Sequence, residues 1–145
     1  MVSSGPPEEY LRIGYFEGYN LGRACLNMDA GQIDTEKYTH IHFGFGTLTE
    51  DFNVKVGDAL SQFEFEQFKQ LTGAKRILSI GGWDFSTSPD TYTIFREGVK
   101  SANRMTMAEN IANFVEEHDL DGVDIDWEYP GVCTFSFLYS FPLRC

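Results

Sequence analysis

Asp121-Gly122-Val123-Asp124-Ile125-Asp126-Trp127-Glu128 decides how this chain is read, because acidic and apolar residues alternate along it. Side chains on a β-strand point to opposite faces in turn, so Asp124, Asp126 and Glu128 share one face. Val123, Ile125 and Trp127 fall on the other, where packing against helices is expected. Three carboxylates on one strand face repel each other and raise each other's proton affinity. A fold that tolerates such a row gains acid chemistry from it. Asp119 and Asp121, in the turn before the strand, are expected to hydrogen-bond the local backbone.

Tyr129-Pro130-Gly131 stops this strand, so Glu128 lies at its C-terminal end. Parallel α/β folds gather their functional groups at that end. Asp126 is two residues back, roughly 6.6–6.8 Å along the backbone, and is suited to hold a proton beside a general acid. Asp124 lies one step deeper, where desolvation is stronger. A proton shared among the three would keep Glu128 protonated near neutral pH. Hard cations also favour carboxylate clusters, but no D-x-[DN]-x-[DN]-G loop is present, since Val123 fills the third ligand position counted from Asp119. Neither a metal site nor a cofactor is expected.

The 145 residues suit one domain, and an apolar content of 42% supports a core. A formal net charge of −11 argues against nucleic acid and against an anionic membrane surface. Thirteen Phe, seven Tyr and two Trp, together with the acidity, fit a neutral polysaccharide. Two carboxylates on one strand face approach a bound sugar from one side, whereas the usual retaining pair flanks the scissile bond. Unless another strand supplies a second carboxylate, the nucleophile comes from the substrate, and an N-acetyl group at C2 can serve.

The first residues show neither the basic start nor the apolar core of a signal peptide. The apolar stretch around 132–143 is too short and interrupted to span a bilayer. Cys25, Cys133 and Cys145 are odd in number and widely spaced, which is not a zinc pattern. At least one thiol is therefore free or paired outside the chain.

Apolar segments at 11–16, 40–45, 76–80 and 122–127 read as strands separated by enough chain for helical crossovers. Leu60, Phe63, Phe68 and Leu71 form one helical face that Gly73 is placed to end. Ser88-Pro89 reads as a cap and first turn of another helix. Met107, Ile111, Phe114 and Val115 form a third stripe, with Thr106 and Glu109 as a capping box and Asn103 as a competing cap. The order β, short helix, β, α, β, helices, β predicts a parallel sheet covered by helices, either open and doubly wound or a barrel. Residues 132–145 are aromatic, uncharged except for Arg144, and read as a foreign tail or a broken end.

Ser79-Ile80-Gly81-Gly82-Trp83 ends the third strand, and its glycines permit a sharp turn and the close approach of a ligand or a neighbouring strand. Ser79 is placed to hydrogen-bond a buried carboxylate, and Trp83 either stacks on a sugar or packs in the turn. No Lys follows the glycines, so a phosphate-binding loop is not expected. Tyr15 reads as a core tyrosine with a satisfied hydroxyl, or as one aimed at the carboxylates. His40 and His42 share a strand face without a third ligand and read as a packed or hydrogen-bonded pair. His118 reads as a helix C-terminal dipole partner or cap, and Phe43 and Phe45 read as core.

The chain resembles the catalytic domain of glycoside hydrolase family 18, the chitinases. Residues 121–128 match the D-G-x-D-x-D-x-E signature of that family, and Ser79-Ile80-Gly81-Gly82 matches its S-x-G-G motif. Residues 19–28 are similar to the subgroup related to killer-toxin α subunits. The resemblance implies a (β/α)8 TIM barrel, of which only the first four β/α units are present. Residues 1–10 are then a lead-in, 11–131 a partial catalytic domain, and 132–145 an unrelated tail. It also implies retaining, substrate-assisted hydrolysis of β-1,4-linked N-acetylglucosamine polymers.

In the implied mechanism Glu128 protonates the glycosidic oxygen, Asp126 orients the acetamido group, and Asp124 shares a proton with Asp126. Tyr15 and Ser79 support that pair, while Trp83, Tyr129, Gly81, Gly82 and Phe45 border the sugar. Chitin or chitooligosaccharides are the implied partners, and an extracellular location is implied as well. Half a barrel leaves two strand edges open, so little or no activity is expected of the isolated chain. A lectin-like chitin-binding module and a non-functional fragment are the rival readings; the intact Glu128 weighs against the first.

Overall fold

A computed structural model of the chain describes residues 10–131. Among them, strands β1 (Ile13–Glu17), β2 (His40–Leu48), β3 (Val54–Val56), β4 (Lys75–Gly81) and β5 (Gly122–Asp126) form one sheet. Its order is β1-β2-β4-β5, all parallel, with β3 antiparallel on the end of β2. The four expected strands are present. The β3 hairpin was not anticipated: β2 runs on to Leu48 and the chain folds back on it through a tight turn.

Helices α1 (Ala59–Lys69), α2 (Trp83–Thr87), α3 (Thr93–Gly98) and α4 (Arg104–Glu117) complete the described chain. Three single 3-10 turns, Asn20–Gly22, Ala30–Gln32 and Thr35–Lys37, replace the one short helix expected between β1 and β2.

The core lies between the sheet and the helices. Phe16, Phe43, Leu78 and Ile80 are buried on the helix-facing side of their strands. The Phe43 ring lies 5.2 Å from Phe65 and 5.4 Å from Phe68 of α1, the spacing of offset or edge-on aromatic pairs. The buried face of α1 is Ser61, Glu64, Phe65 and Phe68, whereas Leu60 and Phe63 are exposed. The expected stripe was therefore rotated, because two inward positions are polar. Glu64 accepts a hydrogen bond from the Ala30 amide at 2.7 Å and ties the 3-10 turn to α1.

Other local signals moved by a few residues. Gly73 does not end α1, which stops at Lys69; it takes φ +89° in the turn before β4. Ser88 closes α2 instead of starting a helix, and α3 begins at Thr93. Asn103 is the N-cap of α4, placing Thr106 and Glu109 inside the helix. Asp121 bonds the Arg76 amide of β4 (2.9 Å), a distant partner in place of a local one. Arg76 in turn donates to the Lys69 and Asp119 carbonyls, so this one side chain staples the N-terminal ends of β4 and β5.

Val123 and Ile125 lie on the helix-facing side but remain exposed, at 41% and 47%, against expectation. β5 is an edge strand among the described residues, and α4 leaves a groove of about 530 Å³ over it, lined by Phe95, Met107, Ile111 and Val115. Trp127 alone of the three packs, its ring 5.3 Å from that of Phe95.

Candidate active site

The strand register brings the site together. Tyr15, His42 and Ile77 are neighbours in one row across the sheet, and Glu17, Gly44, Ser79 and Asp124 form the next row toward the C-terminal ends. Gly44 has no side chain, so Tyr15 and His42 reach past it toward Asp124. The Tyr15 and Ser79 hydroxyls each donate to Asp124 Oδ2 at 2.8 Å, and His42 Nδ1 lies 3.3 Å from the same oxygen. Tyr15 is thus aimed at the carboxylate row, and Ser79, fully buried, holds the carboxylate expected of it.

The electrostatics divide the row. Burial pushes the Asp124 carboxyl up, but the hydrogen bonds from Ser79, Tyr15 and His42 outweigh it and hold Asp124 below the ordinary range. Asp126 is raised, by burial first and then by the charges of Glu128 and Asp124. Tyr15 is pushed up to about 12 by burial and by its bond to Asp124. A carboxyl that is lowered beside one that is raised is the arrangement by which paired acids acquire different roles.

The backbone around the acid is pinned from α2. The Gly82 amide donates to the Asp126 carbonyl at 2.9 Å, and the Glu128 amide donates to the Ser86 hydroxyl at 3.0 Å. Gly81 sits at φ +124°, where any Cβ would collide with the Asp126 carbonyl. Gly82, at φ +84°, lies under the ring of Phe45, 3.1 Å from where a Cβ would stand. The glycine pair therefore admits the neighbouring strand, one of the two uses its sequence allowed. The Gly44–Phe45 and Glu128–Tyr129 peptide bonds are cis.

Glu128 is half-buried just beyond β5, and Trp83 and Tyr129, at the same end of the sheet, are 59% and 54% exposed. Glu17 is not a free fourth carboxylate, since Arg23 pairs with it and the Tyr19 hydroxyl donates to it at 3.0 Å.

His40 and His42 share a face but do not act as a pair, because His40 Nδ1 lies 2.9 Å from the Thr39 hydroxyl. His118 occupies the α4 C-cap as expected, yet burial and then Lys69 lower its pKa, so it packs neutral against Phe65 and Phe114 instead of meeting the helix dipole as a cation. Phe43 is core, as read. Cys25 is exposed and has no disulfide partner among the described residues; Cys133 and Cys145 lie outside them. Among the described residues no group of three His, Cys, Asp or Glu is placed to hold a metal, and no helix is long and apolar enough to cross a membrane.

Sequence reasoning missed the contact of His42 with Asp124 and the anchor at Ser86. The signal for His42 was its place on the Tyr15 side of the sheet; Ser86 gave none, because α2 was not foreseen.

Residues 12–139 match the family model described as Glycosyl hydrolases family 18, a match that runs past Gly131. The chain belongs to glycosyl hydrolases family 18. Among its curated relatives, "Secreted chitinase LysM12" of Penicillium expansum is 50% identical over 130 residues, covering 90% of this chain and 9% of the relative. "Killer toxin subunits alpha/beta" of Kluyveromyces lactis is 47% identical over 107 residues, covering 73% of this chain and 9% of the relative. Catalytic domain 2 of the Group II chitinase of Ostrinia furnacalis, solved in complex with penta-N-acetylchitooctaose, (NAG)5, superposes with a TM-score of 0.71 at 27% identity. That alignment covers 83% of this chain and 33% of the solved one. The family-18 chain thus spans a small part of the length of its curated relatives, and its described α/β sheet corresponds to about a third of a TIM-barrel chitinase domain.

Proposed function

We propose that this family-18 chain carries the general-acid side of a chitinase-type active site that hydrolyses β-1,4-linked N-acetylglucosamine polymers by a retaining, substrate-assisted route. The observation that carries the reading is the graded carboxylate row: Asp124 bonded by three neighbours and lowered by them, Asp126 raised by burial and by its acidic neighbours, and Glu128 at the open strand end.

Glu128 gives its proton to the glycosidic oxygen as the C1–O bond breaks, and the acetamido oxygen of the same sugar closes on C1 to form an oxazolinium ion. Asp126 orients the acetamido N–H and stabilises the charge that develops. Water then opens the ring while the Glu128 carboxylate takes the proton back. Trp83 and Tyr129 border the sugars, with Phe45, Gly81 and Gly82 shaping the floor beneath them. Chitin and chitooligosaccharides are the partners and the setting is extracellular; nucleic acid and membrane have no part in it.

We also read residues 11–131 as the first four β/α units of the barrel, with the family match running on to residue 139, into the segment 132–145 that the sequence marks as a tail. Four parallel strands that align with a third of a barrel domain support this. The described residues do not by themselves complete a barrel, so turnover by the 145-residue chain assayed alone is expected to be low.

A chromogenic chitooligosaccharide offered to the 145-residue chain and to Glu128→Gln tests the reading. Slow turnover by the natural chain and none above background by the variant is the expected result. Equal turnover by both removes Glu128 from the mechanism. No turnover with retained chitin pull-down makes the chain a lectin-like module. Neither activity nor binding, without a cooperative unfolding transition, makes it a non-functional fragment.

A further inference from the structure

Three groups meet one oxygen of Asp124, and they are not equivalent. Serine and tyrosine hydroxyls can rotate, donating to a carboxylate or accepting from a protonated carboxyl. Tyr15 and Ser79 would therefore serve Asp124 in either protonation state. An imidazole nitrogen is committed: with its proton it only donates, and without one it only accepts. His42 is buried, with 9% of its surface exposed, and its ring lies 4.7 Å from that of Tyr15 at 60°. Its Nδ1 is 3.3 Å from Asp124 Oδ2.

We propose that His42 is a positioning residue which, as an Nδ1–H donor, disfavours the protonated form of Asp124 and so helps confine the mobile proton of the row to Asp126 and Glu128. The purpose assigned to that confinement rests on the chitinase reading; the donor role itself does not. The opposite tautomer, with the proton on Nε2, would turn Nδ1 into an acceptor and draw the proton down onto Asp124. The titratable groups in contact with the ring are Tyr15 from β1 and Asp124 from β5. β4 brings only the uncharged Ser79 hydroxyl to the same oxygen, and β3 pairs with β2 farther along, at Gly46–Leu48. Among the described residues the ring thus has one negative group in contact with it.

The test is made by nuclear magnetic resonance on the isotope-labelled 145-residue chain. Long-range proton–nitrogen spectra near pH 7 are expected to show His42 Nδ1 protonated. Carboxyl carbon titrations are expected to move the Asp124 midpoint up by about one pH unit in His42→Leu. His42→Asn, whose amide can still donate, is expected to recover most of that shift. An Nε2–H tautomer in the natural chain overturns the proposal, and so does an Asp124 midpoint unmoved in His42→Leu. If His42→Leu does not fold, the tautomer and the His42→Asn titration decide. No sugar turnover is read, so failure here leaves the chitinase reading standing, and failure of that reading leaves these measurements intact.

Discussion

The two faces of the sheet come from the same strands and are held together by different physics. On the helix side, Phe16, Phe43, Leu78 and Ile80 are buried against α1 and the helices around it, held by apolar burial and close packing. On the open side, Tyr15, His42, Ser79 and Asp124 are held by hydrogen bonds, and Asp126 sits beside them at a cost in repulsion. Stability and chemistry are kept apart by one residue of phase. A one-residue slip in register would place the carboxylates in the core and the phenylalanines in the cleft.

The largest expected effect falls on the open side. Glu128→Gln should lower whatever turnover the chain shows by about 10²–10⁴-fold, the usual contribution of a general acid. Its urea midpoint should not move; a shift would mean that the acid also supports the fold.

On the helix side, Phe68→Ala should cost about 3–5 kcal/mol by equilibrium urea unfolding, because the ring is fully buried between Phe43 and Phe65. A loss below about 1 kcal/mol would show that the core is not where the packing puts it.

Ser79→Ala sharpens the contrast, since it removes a hydrogen bond to a charged group. About 1–2 kcal/mol of stability should be lost at pH 7. Asp124 is held below its unfolded value of about 3.9, so its contribution is present above that pH and fades as pH falls through the lower folded value. The deficit of the variant should therefore shrink in acid. A deficit independent of pH would assign Ser79 to packing alone.

Glu64→Gln is the smallest effect and the one that crosses the comparison, because it concerns a carboxylate on the helix side. Glu64 is 0% exposed, one of its oxygens has no partner among the described residues, and burial raises its pKa. Ionising it costs the folded state more than the unfolded one. Stability is therefore lost as pH rises from the unfolded value of about 4.3 through the folded one. The variant should melt about 4 °C higher at pH 7 and converge with the natural chain below about pH 4. A variant that is less stable at pH 7 would show that the ionised carboxylate is worth its burial.

Much of the site was legible before any coordinates. The alternation in 121–128 placed Asp124, Asp126 and Glu128 together, and the proline after Tyr129 marked the end of the strand. Ser79 and its glycines were legible for the same local reason, since turns and periods are written in consecutive residues. The face of α1 was not, because Ser61 and Glu64 occupy inward positions and hide its period. The exposure of Val123 and Ile125 was not legible either, since it depends on what packs over an edge strand rather than on the strand.

By itself the sequence determined the parallel α/β pattern, the acidic row at a strand end and membership of family 18. Each of these is carried by local periodicity or by a motif of fixed spacing. Only the tertiary structure decided how the row is divided. Asp124 takes its hydrogen-bond partners from β1, β2 and β4, as far as 109 residues away in the chain, whereas the Asp126 carboxyl has none among the described residues. A pKa depends on what surrounds a group in space, and neighbours that distant become neighbours only when the strands pair. The carboxylates were legible from their spacing; which of them is lowered and which is raised was decided by the register of the sheet.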